Sequence, residues 1–325
     1  MAVSIFSLIE HNRQEPLHFH ILSDGLSREN REKLRQLVEG NGKSLSFYEL
    51  GDLRASLSER VYGLDTGHFQ ITTLARLLIG SLLPDTVTKA LYLDADTVVL
   101  RPLHGLYKLH LGNRLAAMAP EPTIYPEVKA LLGLPEKAAY YNAGVILLNL
   151  SGWREQGMEE NCFSYYNRMG GKLPFNDQDI LNYVLRGQIV RLPQRFNFFS
   201  NYYYFRYDAL CRQAPWYAKA ETEESFFVAK HHPVLVHFAG AERPWIAGNH
   251  NHYRRAYRLY LRETPFADSR QQRGSALSMQ LYHAMNVTTF VLPGVRKRIS
   301  QAYFDREVKK QMGEQHEAQR SDTEL

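Results

Sequence analysis

The chain has 325 residues, 44% of them hydrophobic, so there is material for a substantial core, and no apolar run reaches the roughly 18 residues a membrane helix needs. A net charge of +5 suits a phosphate-bearing partner or an anionic membrane surface, but zinc spacing, an RNA-binding signature and a continuous basic stripe are all lacking, so no nucleic-acid partner is expected. Two isolated cysteines, Cys162 and Cys211, make neither a disulfide framework nor a metal pair, and with no signal-peptide pattern at the N-terminus the expected setting is the reducing cytoplasm.

In chain order, residues 1–11 carry apolar side chains dense enough for a helix with a buried face. Residues 17–23 alternate and read as a strand. Ser27 is placed to cap a helix running to Glu39, which Gly40, Asn41 and Gly42 end. A strand over 45–50 and a helix over 72–82, stopped at Pro84, follow. Further strands are expected over 89–93, 114–119, 141–149 and 234–238, with helices over 152–168 and 177–185. Helices and strands alternating at this spacing predict an α/β domain with a mainly parallel sheet covered on both faces. Ligands of such sheets bind beyond the carboxyl ends of strands, which is where chemistry is sought.

Residues 1–264 are read as this one domain. From about residue 265 strand signals end, and 269–274 is a polar, arginine-rich connector. Helical patterns over 275–290 and 295–310 set Leu277, Leu281, Met285, Val295 and Ile299 beside Arg296, Lys297, Arg298, Arg306, Lys309 and Lys310. Residues 265–325 are thus read as a basic amphipathic helical tail. It either lies on an anionic membrane or packs on the domain with a solvated face.

The strongest motif is Asp94-Ala-Asp96, directly after the apolar strand Leu91-Tyr92-Leu93. Residues two apart point to the same side of an extended chain, so the two carboxylates can share one hard divalent cation. The same pattern after a strand occurs in haloacid-dehalogenase phosphatases, with the first Asp as nucleophile. Those enzymes carry it near the N-terminus, whereas about ninety residues precede it here. Three further blocks follow. Tyr141-Asn142-Ala143-Gly144 opens a buried strand, where a glycine suggests close approach of backbone to ligand. Asp177 and Gln178 stand at a helix start, where Asp177 alone reads best as a cap. His237 ends the last strand and is followed by Gly240 and Arg243. Beside Asp94 and Asp96, His237 is a candidate third metal ligand, and imidazole suits Mn²⁺ better than Mg²⁺.

These four blocks, in this order, resemble glycosyltransferase family 8, over roughly residues 1–262. The family includes the bacterial lipopolysaccharide galactosyl- and glucosyltransferases and, more distantly, glycogenin. The resemblance implies a GT-A nucleotide-sugar-binding fold with a mixed sheet. It implies Mn²⁺ (or Mg²⁺) on Asp94, Asp96 and His237, and Arg76 contacting the nucleotide sugar. Asn142, Ala143 and Gly144 would line the donor-sugar pocket, and Gly240 and Arg243 would meet phosphate. Asp177 and Gln178 would sit beside the reacting carbon, with transfer retaining the anomeric configuration. The implied reaction moves glucose or galactose from a UDP-sugar to a lipopolysaccharide core oligosaccharide. The implied place is the cytoplasmic face of the inner membrane, with the protein peripheral through its C-terminal helices.

Two departures from the family pattern stand out. Arg243 occupies a position that is commonly Lys. The family's first strand, which holds the nucleobase, has no counterpart ahead of Ala2, so an exposed strand edge is expected. Besides the phosphatase, a catalytically silent sugar- or membrane-binding module is the remaining alternative.

Overall fold

The computed structural model describes residues 1–67, 69–240, 242–295, 298–299 and 302. It has nine strands, β1 (His18–Ser23), β2 (Ser44–Glu49), β3 (Lys89–Leu93), β4 (Thr97–Val99), β5 (Ala116–Pro120), β6 (Tyr141–Asn149), β7 (Ile189–Arg191), β8 (Phe198–Phe199) and β9 (Leu235–His237), among the described residues. They form three sheets, ordered β1-β2, β3-β6-β5-β7 and β4-β9-β8.

Pairing is mixed. It is parallel between β1 and β2, β5 and β7, and β8 and β9, but antiparallel where β6 lies between β3 and β5 and where β4 meets β9. The parallel bias suggested by alternating elements therefore stops short of the middle of the largest sheet. A strand covered on both faces is a continuous apolar run whichever way it points, so pattern alone does not fix its direction.

That coverage is explicit in β5 and β6. Ala116, Met118, Ile146 and Leu148 face one buried cluster with Trp153 and Phe163. Their neighbours Ala117, Ala119, Val145 and Leu147 face a second, with Val99, Leu103 and Leu235. Alternate side chains of a strand point to opposite faces, and both faces here are dry.

The helix Ala2–His11 buries Val3, Ile5, Leu8 and Ile9 and lies along β4. Ser7 Oγ accepts from Val99 N at 2.9 Å and Ser4 Oγ bonds Thr97 Oγ1 at 2.7 Å, so hydroxyls meet polar groups on this side of β4. Ser27 caps the helix Arg28–Glu39 as expected, accepting from Asn30 N.

Two helices differ from expectation. Residues 71–78 wind as a 3₁₀ helix before one α-turn at Ile79–Leu82. The helix expected over 152–168 is broken in two by Gly157, whose φ of +58° leaves the right-handed helical region.

The helix Ala276–Val291 forms as read, capped by Ser275 accepting from Ser278 N. Of the second tail pattern, Arg296, Lys297, Arg306, Lys309 and Lys310 lie outside the described residues, and Val295, Arg298 and Ile299 are exposed. No helix among the described residues is long and apolar enough to cross a membrane.

Candidate active site

The site forms where the chain steps from one sheet to another. β3 ends at Leu93 in the four-stranded sheet and β4 begins at Thr97 in the three-stranded one, so Asp94-Ala95-Asp96 spans the seam. Both ends are pinned by backbone: Asp94 N donates to Gly144 O at 2.8 Å, and Phe238 N donates to Asp96 O at 2.9 Å. Thr97 pairs with His237, which brings the imidazole to the carboxylates. Among the described residues these three side chains are the one group of metal-ligand type, with ligand atoms all within 4.8 Å of one another.

The imidazole is oriented by a chain of bonds that starts at a backbone N–H. Gly144 N donates to Asn142 Oδ1 at 2.9 Å, which fixes that amide. Asn197 Nδ2 donates to the same oxygen at 2.7 Å, leaving Asn197 Oδ1 to face His237 Nδ1 at 3.2 Å. His237 Nδ1 therefore carries the proton and Nε2 points at the acids, 3.1 Å from Asp96 Oδ1 and 3.5 Å from Asp94 Oδ2. Burial alone would lower the His237 pKa, but attraction and hydrogen bonding to Asp96 outweigh it and raise it above the ordinary value. Burial pulls Asp96 upward in turn, yet His237 and Arg243 hold it down to about 2.

Two observations fit a cation here. Asp96 Oδ1 is buried and, apart from His237 Nε2 at 3.1 Å, has no polar partner among the described residues. Gly144 leaves room that no other residue leaves: a Cβ there would stand 2.2 Å from His237 Cε1 and 2.8 Å from Asp94 Oδ2. Carboxylates with one imidazole are a donor set suited to Mn²⁺.

Arg76 is 8% exposed and binds four groups. It reaches Asp94 Oδ1 at 2.9 Å, Asp177 Oδ2 at 3.0 Å, Ala143 O at 2.6 Å and Thr73 O at 3.2 Å. Its guanidinium lies over the Tyr92 ring at 4.6 Å, and Tyr92 OH donates to Asp94 Oδ1. Arg76 thus ties Asp94 to the helix Asn176–Val184. Asp177 stands inside that helix and pairs with Arg76; it is no cap, since the cap position is Phe175. Asn176 makes the turn possible with a φ of +40°, held by Thr66 O and Tyr166 OH. Asparagine tolerates this region better than most residues. Burial pushes Asp177 up to about 6 against the pull of Arg76, and pushes Asp179 up to about 7 against its bonds from Tyr140 OH and Phe175 N.

Gln178 is fully engaged. Its Oε1 accepts from Ala143 N at 3.1 Å and Asn142 Nδ2 at 2.7 Å, and its Nε2 donates to Glu121 Oε2 at 3.0 Å. The Ala143 N–H fixes which end is oxygen. Glu121, buried, also accepts from Asn142 Nδ2, and its carboxyl pKa is raised by burial. Gly240 adopts a φ of +98°, where glycine is favoured, and its carbonyl accepts from Arg243 Nε at 3.0 Å.

Asp94, Asp96, His237, Arg76, Asn142, Ala143, Gly144, Asp177 and Gln178 are therefore one bonded cluster, with Arg243 acting on Asp96 through its charge. Asn197 and Glu121 join it without having been singled out from sequence. Asn197 sits between Phe196 and Phe198 with nothing local to mark it, forty residues from the histidine it orients.

The family model described as Glycosyl transferase family 8 matches residues 1–248. A putative glycosyltransferase of Haemophilus influenzae is 28% identical over 61% of this chain and 59% of its own length, so the chain spans less than two thirds of that relative. A lipopolysaccharide 1,2-glucosyltransferase of Escherichia coli K12 is 26% identical over 82% of this chain and 75% of its own. A crystal structure of a galactosyltransferase in complex with donor and acceptor sugar analogues superposes with a TM-score of 0.67, at 24% identity, over 81% of this chain and 91% of that one.

Proposed function

The chain belongs to glycosyl transferase family 8 and is a glycosyltransferase of the GT-A fold, and from that premise we propose that it moves glucose or galactose from a UDP-sugar to a lipopolysaccharide core oligosaccharide, with retention. The observation that carries the reading is the convergence of Asp94, Asp96 and His237 at the seam between two sheets, beside the pair Arg76–Asp177. The phosphatase alternative has no further support, since family membership places the chain among transferases.

These three side chains would hold Mn²⁺ (or Mg²⁺), which when bound supplies Lewis-acid stabilisation to the departing diphosphate. Arg243 adds positive charge on the same side, and Gly240 would let the backbone approach the phosphate. Asn142, Ala143, Gly144 and Arg76 would form the wall against the donor sugar. Gln178 works best as a brace for that wall. Two donors already occupy its oxygen, which leaves it poorly nucleophilic, so departure and attack on one face, aided by the leaving phosphate, is the route we favour.

Docking of residues 265–325 on an anionic membrane surface, at the cytoplasmic face of the inner membrane, belongs to the same proposal. It is supported by Leu277, Leu281 and Val291, 66%, 63% and 71% exposed and on one side of their helix. The test is incubation with UDP-glucose and UDP-galactose and isolated truncated core oligosaccharide, reading the new linkage by proton NMR. A product of α configuration supports the reading, and a β product or no transfer to any core acceptor removes it. Vesicle sedimentation of a Leu277→Glu, Leu281→Glu, Val291→Glu variant tests the membrane part; binding to anionic vesicles equal to wild type refutes it.

A further inference from the structure

The helix Ala276–Val291 is built inside out. Its outward side shows Leu277, Leu281 and Val291, whereas the side turned to the protein carries Tyr282, His283, Asn286 and Thr289. A polar inner face needs a polar target, and the target is Glu242, in the loop from Gly240 to Arg243. Glu242 is 5% exposed. Its Oε1 accepts from His283 Nδ1 at 3.1 Å and from His250 N at 2.8 Å, and its Oε2 accepts from Asn286 Nδ2 at 3.2 Å. Its backbone carbonyl accepts from Asn251 Nδ2 at 2.8 Å, and Asn251 also holds Ser200 Oγ. One residue further, Arg243 lends its charge to Asp96 and bonds Gly240 O. Tyr282 OH stands beside Gly240, 3.6 Å from where a Cβ would be.

A buried carboxylate needs its donors, because losing one leaves charge unsolvated. Two of the three donors to the Glu242 carboxylate come from the helix, so seating of the helix favours this placement of Glu242. We propose that Glu242, His283 and Asn286 are positioning residues that set Gly240 and Arg243 for the donor diphosphate, which makes the helix Ala276–Val291 a working part of the donor site. This rests on the donor reading above. None of the three touches the metal ligands, so the effect should fall on the diphosphate and spare the cation.

The full-length protein tests this through two affinities, for Mn²⁺ alone by electron paramagnetic resonance and for UDP with Mn²⁺ saturating by calorimetry. His283→Ala and Glu242→Gln should each weaken UDP by about tenfold, the order expected for a hydrogen bond to a charged group, with Mn²⁺ affinity unchanged. His283→Gln, whose amide can still donate to the carboxylate, should recover most of the loss. If Glu242→Gln fails to fold, His283→Ala decides, since that side chain is partly exposed. UDP affinity at the wild-type value in His283→Ala overturns the proposal, as does an equal loss of UDP and Mn²⁺ binding in it. Absence of UDP binding by the wild type with Mn²⁺ removes the donor reading itself, and this proposal with it.

Discussion

Gly144 is the position where one methyl group tests the geometry of the site. It lies in β6, with its carbonyl bonded to Asp94 N and its N–H to Asn142 Oδ1, so the backbone cannot retreat without releasing both. An alanine Cβ would stand 2.2 Å from His237 Cε1 and 2.6 Å from its Nδ1. Carbon atoms in contact prefer about 3.5–4.0 Å, so the ring must move by more than about 1 Å. Metal sites tolerate about 0.2 Å, and the displaced ring also loses Asn197. Disturbing an outer partner alone lowers metal affinity by about 10–100-fold, and displacing a ligand does at least as much. Gly144→Ala should therefore bind Mn²⁺ at least about 100-fold more weakly, close to 3 kcal/mol. Overpacking should also lower unfolding stability by about 1–3 kcal/mol. Mn²⁺ titration followed by paramagnetic resonance, with thermal melts in parallel, reads both. Wild-type Mn²⁺ affinity in a folded Gly144→Ala protein would refute the assignment of His237 and Asp94 as ligands closing on this strand.

Asn197→Ala should cost about 10–100-fold in Mn²⁺ affinity, because His237 Nδ1 loses the acceptor that fixes its tautomer; an unchanged titration contradicts this. Mn²⁺ affinity should fall as the pH drops through the raised pKa of His237, with proton release on binding at that pH, since the cation must displace the Nε2 proton; calorimetry in buffers of different ionisation heat measures it. Arg76→Met should destabilise the protein by about 3–5 kcal/mol in urea unfolding, leaving Asp177 buried without its cation; a loss under 1 kcal/mol argues against that pairing. In metal-free protein, native Asp177 and Asp179 keep protons up to about 6 and about 7, above the unfolded value of about 4. The native state then binds more protons in that window, so stability should fall as pH rises from about 4 to about 7, and Asp179→Asn should flatten the upper part of that fall in melts with EDTA.

The sequence carried the strands at 89–93 and 141–149 with their bounds, because a short apolar run ending in charge or opening on glycine has few other uses. It also points to Asp94, Asp96 and His237 as one group, and their ligand atoms do lie within 4.8 Å of one another. It did not carry the pairing directions, which are set by tertiary contacts between strands of similar composition. Nor did it carry Asn197, whose part in orienting His237 depends on contact across forty residues. Asp177 reads locally as a helix cap, yet Arg76, a hundred residues earlier, draws its carboxylate away. Gly144 reads only as a glycine in a buried strand, and the reason for it is the approach of His237 and Asp94. The tail reads as a basic amphipathic helix from its apolar stripe, and in the helix Ala276–Val291 it is Leu277, Leu281 and Val291 that are exposed while Asn286 and Thr289 are buried.

The most direct test of the central claim is release of UDP from UDP-glucose and UDP-galactose by the full-length protein, with Mn²⁺ and with EDTA, alongside Asp96→Asn. Release from one or both donors with Mn²⁺ is expected, abolished by EDTA and reduced at least about 100-fold in the folded variant, which lacks one of the three side chains proposed to hold the cation. Release that persists undiminished in EDTA and in Asp96→Asn would contradict it.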